Sequence, residues 1–456
     1  MRIESTGDTA VDRVFTGLRD DIIAGIRPPG TRIVERAVAE EFEVSRLPVR
    51  IALRRLELDG LVDHRARHGT TVRAMSVSEA ADLSEVHSAL DRLAVRQAAI
   101  RRTEADQLRF ADHVDAAQRA VDAHDVEQLI AAGVRFRSDV YRATRNAPLL
   151  AIHDGTLGRT LRMFTLGEPA AVEPMAHVRS VADALERRDP SAAERAMVEF
   201  NEYIRSVRRE HVLAQLDDDS ATSPRRVRPE DGPSEDEEPA GAGRVTADVR
   251  AAILAGELRP GDTVSERILS ERHGVGRIPV RHALDALAGE GLITVPTSRV
   301  SAKVRDLSRE ETEDLFDVCV TLDVLATRLA AERRTREEIT RLEAELRTVE
   351  RLAERPMGAA ERAELLDRMF AFRRHIYVMA ENRALLQVDR MVETRMRLAV
   401  ARLPITGEAL RGQRFLFEAI ASRETNLAEA IYLNVFPGRA RRARVFGESY
   451  GRPGEG

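Results

Sequence analysis

Val-Ser-Arg-Leu-Pro-Val-Arg at residues 44–50 returns as Val-Gly-Arg-Ile-Pro-Val-Arg at residues 275–281, 231 positions further along the chain. At that offset, 46–61 and 277–292 share nine of sixteen residues without a gap: Arg46/Arg277, Pro48/Pro279, Val49/Val280, Arg50/Arg281, Ala52/Ala283, Leu53/Leu284, Leu56/Leu287, Gly60/Gly291 and Leu61/Leu292. Identity that dense marks an internal duplication.

Periodicity around the first copy predicts three helices and a hairpin. Val14, Leu18, Ile22 and Ile23 recur at helical spacing until Pro28-Pro29-Gly30 stops the run. Val34, Val38 and Phe42 mark a second helix, and Ser45 is placed to cap a third from Arg46 to about Leu58. Leu61-Val62 and Thr70-Thr71-Val72 alternate as short strands around His68-Gly69. Three helices and a β-wing make a winged helix-turn-helix over 11–75.

From 76 to 213 the pattern is helical throughout. Leu83, Val86, Leu90 and Leu93 form one stripe, and Val181, Leu185 and Met197 belong to a pair of helices parted at Arg188-Asp189-Pro190. Residues 214–243 then pass through Asp217-Asp218-Asp219 and Glu235-Asp236-Glu237-Glu238 among Pro, Gly and Ser, a composition that predicts a disordered acidic linker. About 30 such residues reach roughly 30 Å on average. Residues 244–306 repeat the winged unit and 307–447 repeat the helical bundle. The expected fold is therefore mainly α, with a pseudo-two-fold internal repeat, and the tail from Glu448 is expected to fray.

The 456 residues are 43% hydrophobic and 32% charged, with no apolar run near the length of a membrane span. No signal segment opens the chain, which makes the cytoplasm the expected compartment. The single cysteine, Cys319, rules out disulfides and cysteine-ligated metal within one chain. No nucleophile–base pair, phosphate loop or paired carboxylate stands out, so an enzyme is not expected. With a net charge of −5, any contact to nucleic acid has to come from local patches.

Such a patch lies at 45–73, where seven Arg face three acids. Arg46 and Arg50 are four apart and share one helix face, which Arg54 extends. Arg at the start of a helix laid in the major groove can grip guanine with two hydrogen bonds, and the helix N-terminus attracts phosphate. An Arg-x-x-x-Arg pair alone could equally be a solvated face. The capping serine, Pro48 in the first turn, the Gly60-Leu61 stop and the wing that follows favour a reader of double-stranded DNA.

Those same residues resemble the GntR family: Ile-x-x-Gly-x-x-Pro-Pro-Gly at 22–30, Glu35-Arg36, then Ser45-Arg46-x-Pro48-Val49-Arg50 and Gly60-Leu61, with Gly256, Pro260-Gly261 and Ser265-Glu266-Arg267 in the second copy. The helical regions resemble the FCD ligand-binding domain of the FadR subfamily. The resemblance implies DNA contacts from Arg36, Ser45, Arg46, Arg50, His68 and Gly69, and from Arg267, Gly276, Arg277, Arg281 and Arg299. The heads differ, however. Gly276 replaces Ser45, Asp285 and Ala286 replace Arg54 and Arg55, and Val300 replaces Gly69. The second head is expected to bind more weakly, or to read a different half-site.

FCD domains commonly hold a divalent metal with one Asp and three His. Counted from Asn146 and Asn382, the Asp and first His fall at Gly133 and Arg137, and at Met369 and Arg373. The remaining two fall near Val178 and Phe200, and near Gln413 and Val435. None of these is a ligand, so neither metal nor another cofactor is expected. His87 and His177 become ligands only if the alignment slips. Arg137 and Arg373, each following a phenylalanine, could grip the carboxylate of a small organic acid; an internal salt bridge is the alternative. His87, Arg137, His177 and Arg373 are thus the candidate effector residues.

The expected function is transcriptional regulation, as a repressor, with one chain imitating the family's homodimer and room for further homodimerisation. The alternative is an architectural, effector-independent DNA-binding protein whose bundles serve only to dimerise.

Overall fold

The computed structural model describes residues 9–23, 26–65, 69–165, 174–216, 241–254, 256–295, 302–401, 403 and 405–435. The chain divides into two compact units, residues 1–220 and 221–456.

The first unit opens with α1 (Ala10–Ile23), β1 (Arg32–Ile33), α2 (Glu35–Glu41), α3 (Arg46–Leu58), β2 (Val62–Arg65) and β3 (Gly69–Val72). Its helical periodicity becomes a core, with Val14, Leu18, Ile22, Val38, Val49, Ala52, Leu53, Leu56, Leu61 and Val72 all buried. The antiparallel sheet runs β1-β3-β2, with Val62 opposite Val72 and Ile33 opposite Thr70. β1 is an addition to the expected hairpin, because two residues are too short to show alternation. Gly60, at φ +67°, turns the chain from α3 into the wing, a left-handed conformation that glycine adopts without steric cost.

The bundle follows as α4 (Val77–Arg101), α5 (Glu104–Asp122), α6 (Val126–Ala143), α7 (Ala147–Thr165), α8 (Pro174–Glu186) and α9 (Pro190–Leu216). Ser76 and Glu79 close a capping box at the start of α4, and Asn146 accepts from the Leu149 backbone N–H at 2.9 Å to open α7. Leu83, Val86 and Leu90 are buried as the stripe requires, while Leu93 is half-buried. The winged head sits on α7 of its own unit: a Cβ on Gly158 would meet Leu61 at 2.7 Å.

The second unit repeats the order. Its head is α10 (Ala242–Leu254), β4 (Thr263–Val264), α11 (Glu266–His273), α12 (Arg277–Gly289), β5 (Ile293–Thr294) and β6 (Ala302–Val304), with sheet order β4-β6-β5. Its bundle is α13 (Arg309–Arg333), α14 (Arg336–Ala353), α15 (Ala359–Met379), α16 (Arg383–Val400), α17 (Gly407–Ala421) and α18 (Thr425–Val435). The capping box recurs as Ser308–Glu311. Most of the expected linker and the tail from Glu448 lie outside the described residues. Among the described residues, no helix is long and apolar enough to cross a membrane.

Candidate nucleic-acid interface

α3 divides sharply. Val49, Ala52, Leu53 and Leu56 face the core, while Arg46, Arg50 and Arg54 project into solvent on the opposite side. In the second head, Val280, Ala283, Leu284 and Leu287 are buried and Arg277 and Arg281 exposed. Asp285 is exposed at the position of Arg54. The same acid steadies an arginine in each head: Glu35 lies 3.5 Å from Arg50, and Glu266 lies 3.2 Å from Arg281. Arg36 pairs with Glu40 at 3.4 Å and Arg267 with Glu271 at 2.8 Å, both within one turn and well exposed. Arg55 turns away from this face, pairing with Asp12 at 3.2 Å and stacking 4.0 Å over the Phe15 ring.

The capping expectation needs correction. Ser45 is the N-cap residue of α3, with φ −71° and ψ 166°, but its side chain makes no capping hydrogen bond. Gly276 occupies the same position, equally without one, so the exchange of Ser for Gly removes no such bond from the second head. Ser45 is exposed beside the arginines instead. Gly69 takes φ +78° at the wing, and the Arg32 guanidinium would stand 3.5 Å from a Cβ there. Arg32, exposed on β1, thereby joins the basic surface, and no sequence signal pointed to it. His68 and Arg299 lie outside the described residues.

The bundle candidates fall into separate settings. His87 is buried, with Nε2 3.1 Å from the Thr156 hydroxyl. His177 is half-buried, its ring 5.1 Å from that of Tyr203 and 6.2 Å from that of Phe200. Arg137 donates from Nε to Asp91 at 2.9 Å, and the Tyr141 hydroxyl donates to the same oxygen at 2.8 Å. Burial opposes the Arg137 charge, but Asp91 outweighs it and raises the pKa. Burial, reinforced by Asp91, pushes the Tyr141 hydroxyl well above its usual range. His153 stacks on Tyr141 with ring centroids 4.2 Å apart, and burial lowers the imidazole pKa well below its usual value.

Arg373 repeats this arrangement with one change. It lies 2.7 Å from both Asp323 and Asp389, and the Tyr377 hydroxyl donates to Asp323 at 2.6 Å. Asp389 stands where the first bundle has His153, so one guanidinium serves two carboxylates. Burial raises the Asp389 pKa despite Arg373. A guanidinium committed to acidic side chains sits where a family metal would have its first histidine. Among the described residues, no three of His, Cys, Asp or Glu are grouped to hold an ion. The residues present do not fit a divalent cation. A carboxylate ligand for Arg137 would have to share the guanidinium with Asp91.

Comparison with known proteins matches this geometry to a class. The sequence model described as "Bacterial regulatory proteins, gntR family" matches residues 10–72 and 242–301, and that of the FCD domain matches 82–202 and 314–436. The chain belongs to the gntR family, carrying both the DNA-binding module and the FCD domain twice, and is a DNA-binding transcriptional regulator. A probable D-xylose utilization operon transcriptional repressor from Paenarthrobacter nicotinovorans is 30% identical over 42% of this chain and 85% of its own length. The HTH-type transcriptional repressor RspR of Escherichia coli K12 is 27% identical over 44% of this chain and 90% of its own. Among solved structures, E. coli McbR/YncC aligns over 47% of this chain and 100% of its own, at 16% identity and a TM-score of 0.39.

Proposed function

We propose that this chain is a cytoplasmic repressor in which two head-and-bundle units on one polypeptide stand in for the two subunits of a dimer. The carrying observation is the repeated arginine face: Arg46 and Arg50 on α3, Arg277 and Arg281 on α12, each exposed and backed by a buried apolar stripe. Two of the similar proteins are named as repressors, which supports that direction of control. Half-sites one helical turn apart lie about 34 Å from each other, and two tethered heads reach both at raised effective concentration. Arg36, Ser45, Arg54, Gly69 and Arg267 border the arginines and would contact backbone or bases, a role the family resemblance extends to His68 and Arg299.

The two heads are unequal partners, since Asp285 puts a carboxylate where Arg54 puts a cation. Replacing Arg46 and Arg50 with Ala should cost operator affinity about 1–3 kcal/mol per lost guanine contact. The same change at Arg277 and Arg281 should cost less. Genome-wide mapping of bound sites followed by titration of the variants tests both points, and equal losses on natural sites would refute the asymmetry.

An organic acid that entered a bundle would compete with Asp91 for Arg137, or with Asp323 and Asp389 for Arg373, and would act by shifting the head spacing. The closed ion pairs favour the second reading, in which the bundles hold the heads without sensing a ligand. Release of bound DNA by a carboxylic acid, lost in Arg137→Ala or Arg373→Ala, separates the two.

A further inference from the structure

The arginine face of α3 also carries two large apolar side chains that the fold does not bury. Leu47 is 64% exposed and Ile51 48% exposed. Exposed apolar side chains are common on protein surfaces, and what distinguishes these two is their place among the arginines of α3. Val49, Ala52, Leu53 and Leu56 already occupy the core side of the helix. Leu47 falls among Arg46, Arg50 and Arg54, and Ile51 follows one turn later along the edge of the same face. The occupant of such a surface must offer anionic groups and small apolar groups side by side. The major groove of DNA does so, with phosphates along its rims and guanine acceptors on its floor beside the C5-methyl of thymine.

The second head keeps half of this arrangement. Ile278 stands in the place of Leu47 and is 66% exposed, so the first apolar contact is preserved in both position and presentation. His282 stands in the place of Ile51 and is exposed. An imidazole offers ring nitrogens where the first head offers a hydrocarbon branch.

Resting on the DNA-binding role proposed above, we infer that Leu47 and Ile51 read thymine methyl groups next to the bases gripped by the arginines. Ile278 reads one such methyl in the second half-site, and His282 exchanges the other for a hydrogen bond. The two half-sites therefore share one thymine position and differ at a second.

The test uses the full-length chain. Duplexes selected from a random pool define the preferred sequence, and the Arg277→Ala/Arg281→Ala variant shows which half-site belongs to the first head. Each thymine there is then replaced by uracil, which removes the methyl and leaves base pairing intact. Loss of one buried methyl should weaken binding roughly three- to fivefold. Leu47→Ala and Ile51→Ala should each bind the thymine duplex that much more weakly and lose the uracil effect at one position. His282→Ala should relax selection at the differing position of the other half-site.

Equal affinity for the thymine and uracil duplexes would overturn the inference, as would a selected half-site lacking thymine or two identical half-sites. Failure to enrich any duplex would instead overturn the DNA-binding role on which the inference rests.

Discussion

Glu35 reaches back from the first turn of α2 to lie 3.5 Å from Arg50 on α3, and Glu266 lies 3.2 Å from Arg281 in the second head. An exposed pair of this kind contributes at most about 1 kcal/mol to stability. Its expected effect falls on the arginine, whose carboxylate neighbour would bias it across the exposed face of α3. Glu35→Gln should leave the unfolding midpoint unchanged while tightening binding to random-sequence DNA more than to the preferred site, because it removes a competing carboxylate and the restraint together. Titration against both duplexes at one salt concentration measures the ratio. An unchanged or increased ratio would show that Glu35 does not orient Arg50.

Arg373 neutralises two buried carboxylates, whereas Arg137 neutralises one. Removing one partner of a buried pair costs about 3–5 kcal/mol, because the charge left behind has no solvent to return to. Arg373→Met should fall in that range and exceed Arg137→Met, with partial recovery on adding Asp389→Asn. Urea denaturation provides the comparison. EDTA should leave the wild-type curve unchanged, since the interior charge is supplied by arginine.

Asp59 ends α3 at its negative pole, where burial raises the carboxyl to about 6 despite Arg55, Arg159 and Arg19 nearby. In the second head the equivalent Glu290 is one methylene longer and accepts from Arg250 Nε at 2.8 Å, while in the first head Arg19 turns to Asp20 at 3.0 Å. A carboxyl that holds its proton more tightly when folded contributes stability below its ordinary value of 3.8, and loses that contribution as pH rises through about 6. Asp59→Asn should therefore stabilise the protein at pH 7.5 by about 1 kcal/mol, a figure reduced for the solvent that still reaches the group. The gain should vanish near pH 4. A gain independent of pH would assign the effect to packing instead.

Cys319 lies fully buried in α13, and burial pushes its thiol far above the usual range. It should react with an aromatic disulfide reagent only as fast as the second unit opens. Prompt stoichiometric labelling of the native protein would contradict this placement.

Much of the architecture could be read before any coordinates. The bounds of α3 follow from its apolar spacing and from Gly60, and the duplicated motif announced two heads. β1 could not be read, because a two-residue strand carries no alternation and exists only through pairing with β3. The hydroxyl of Ser45 was equally out of reach, since residue type sets capping propensity while the rotamer decides whether the bond forms.

Local chemistry along the chain was enough to specify the helices, their stops and the arginine-bearing face, because these depend on residues within a few turns of one another. The interior of each bundle required the folded chain. Asp91 is 46 residues from Arg137, and Asp323 is 50 from Arg373. Which distant carboxylate each guanidinium would meet depended on the packing of α4 on α6, or of α13 on α15. Burial made that contact decisive, since a charge removed from water must find its partner inside the protein.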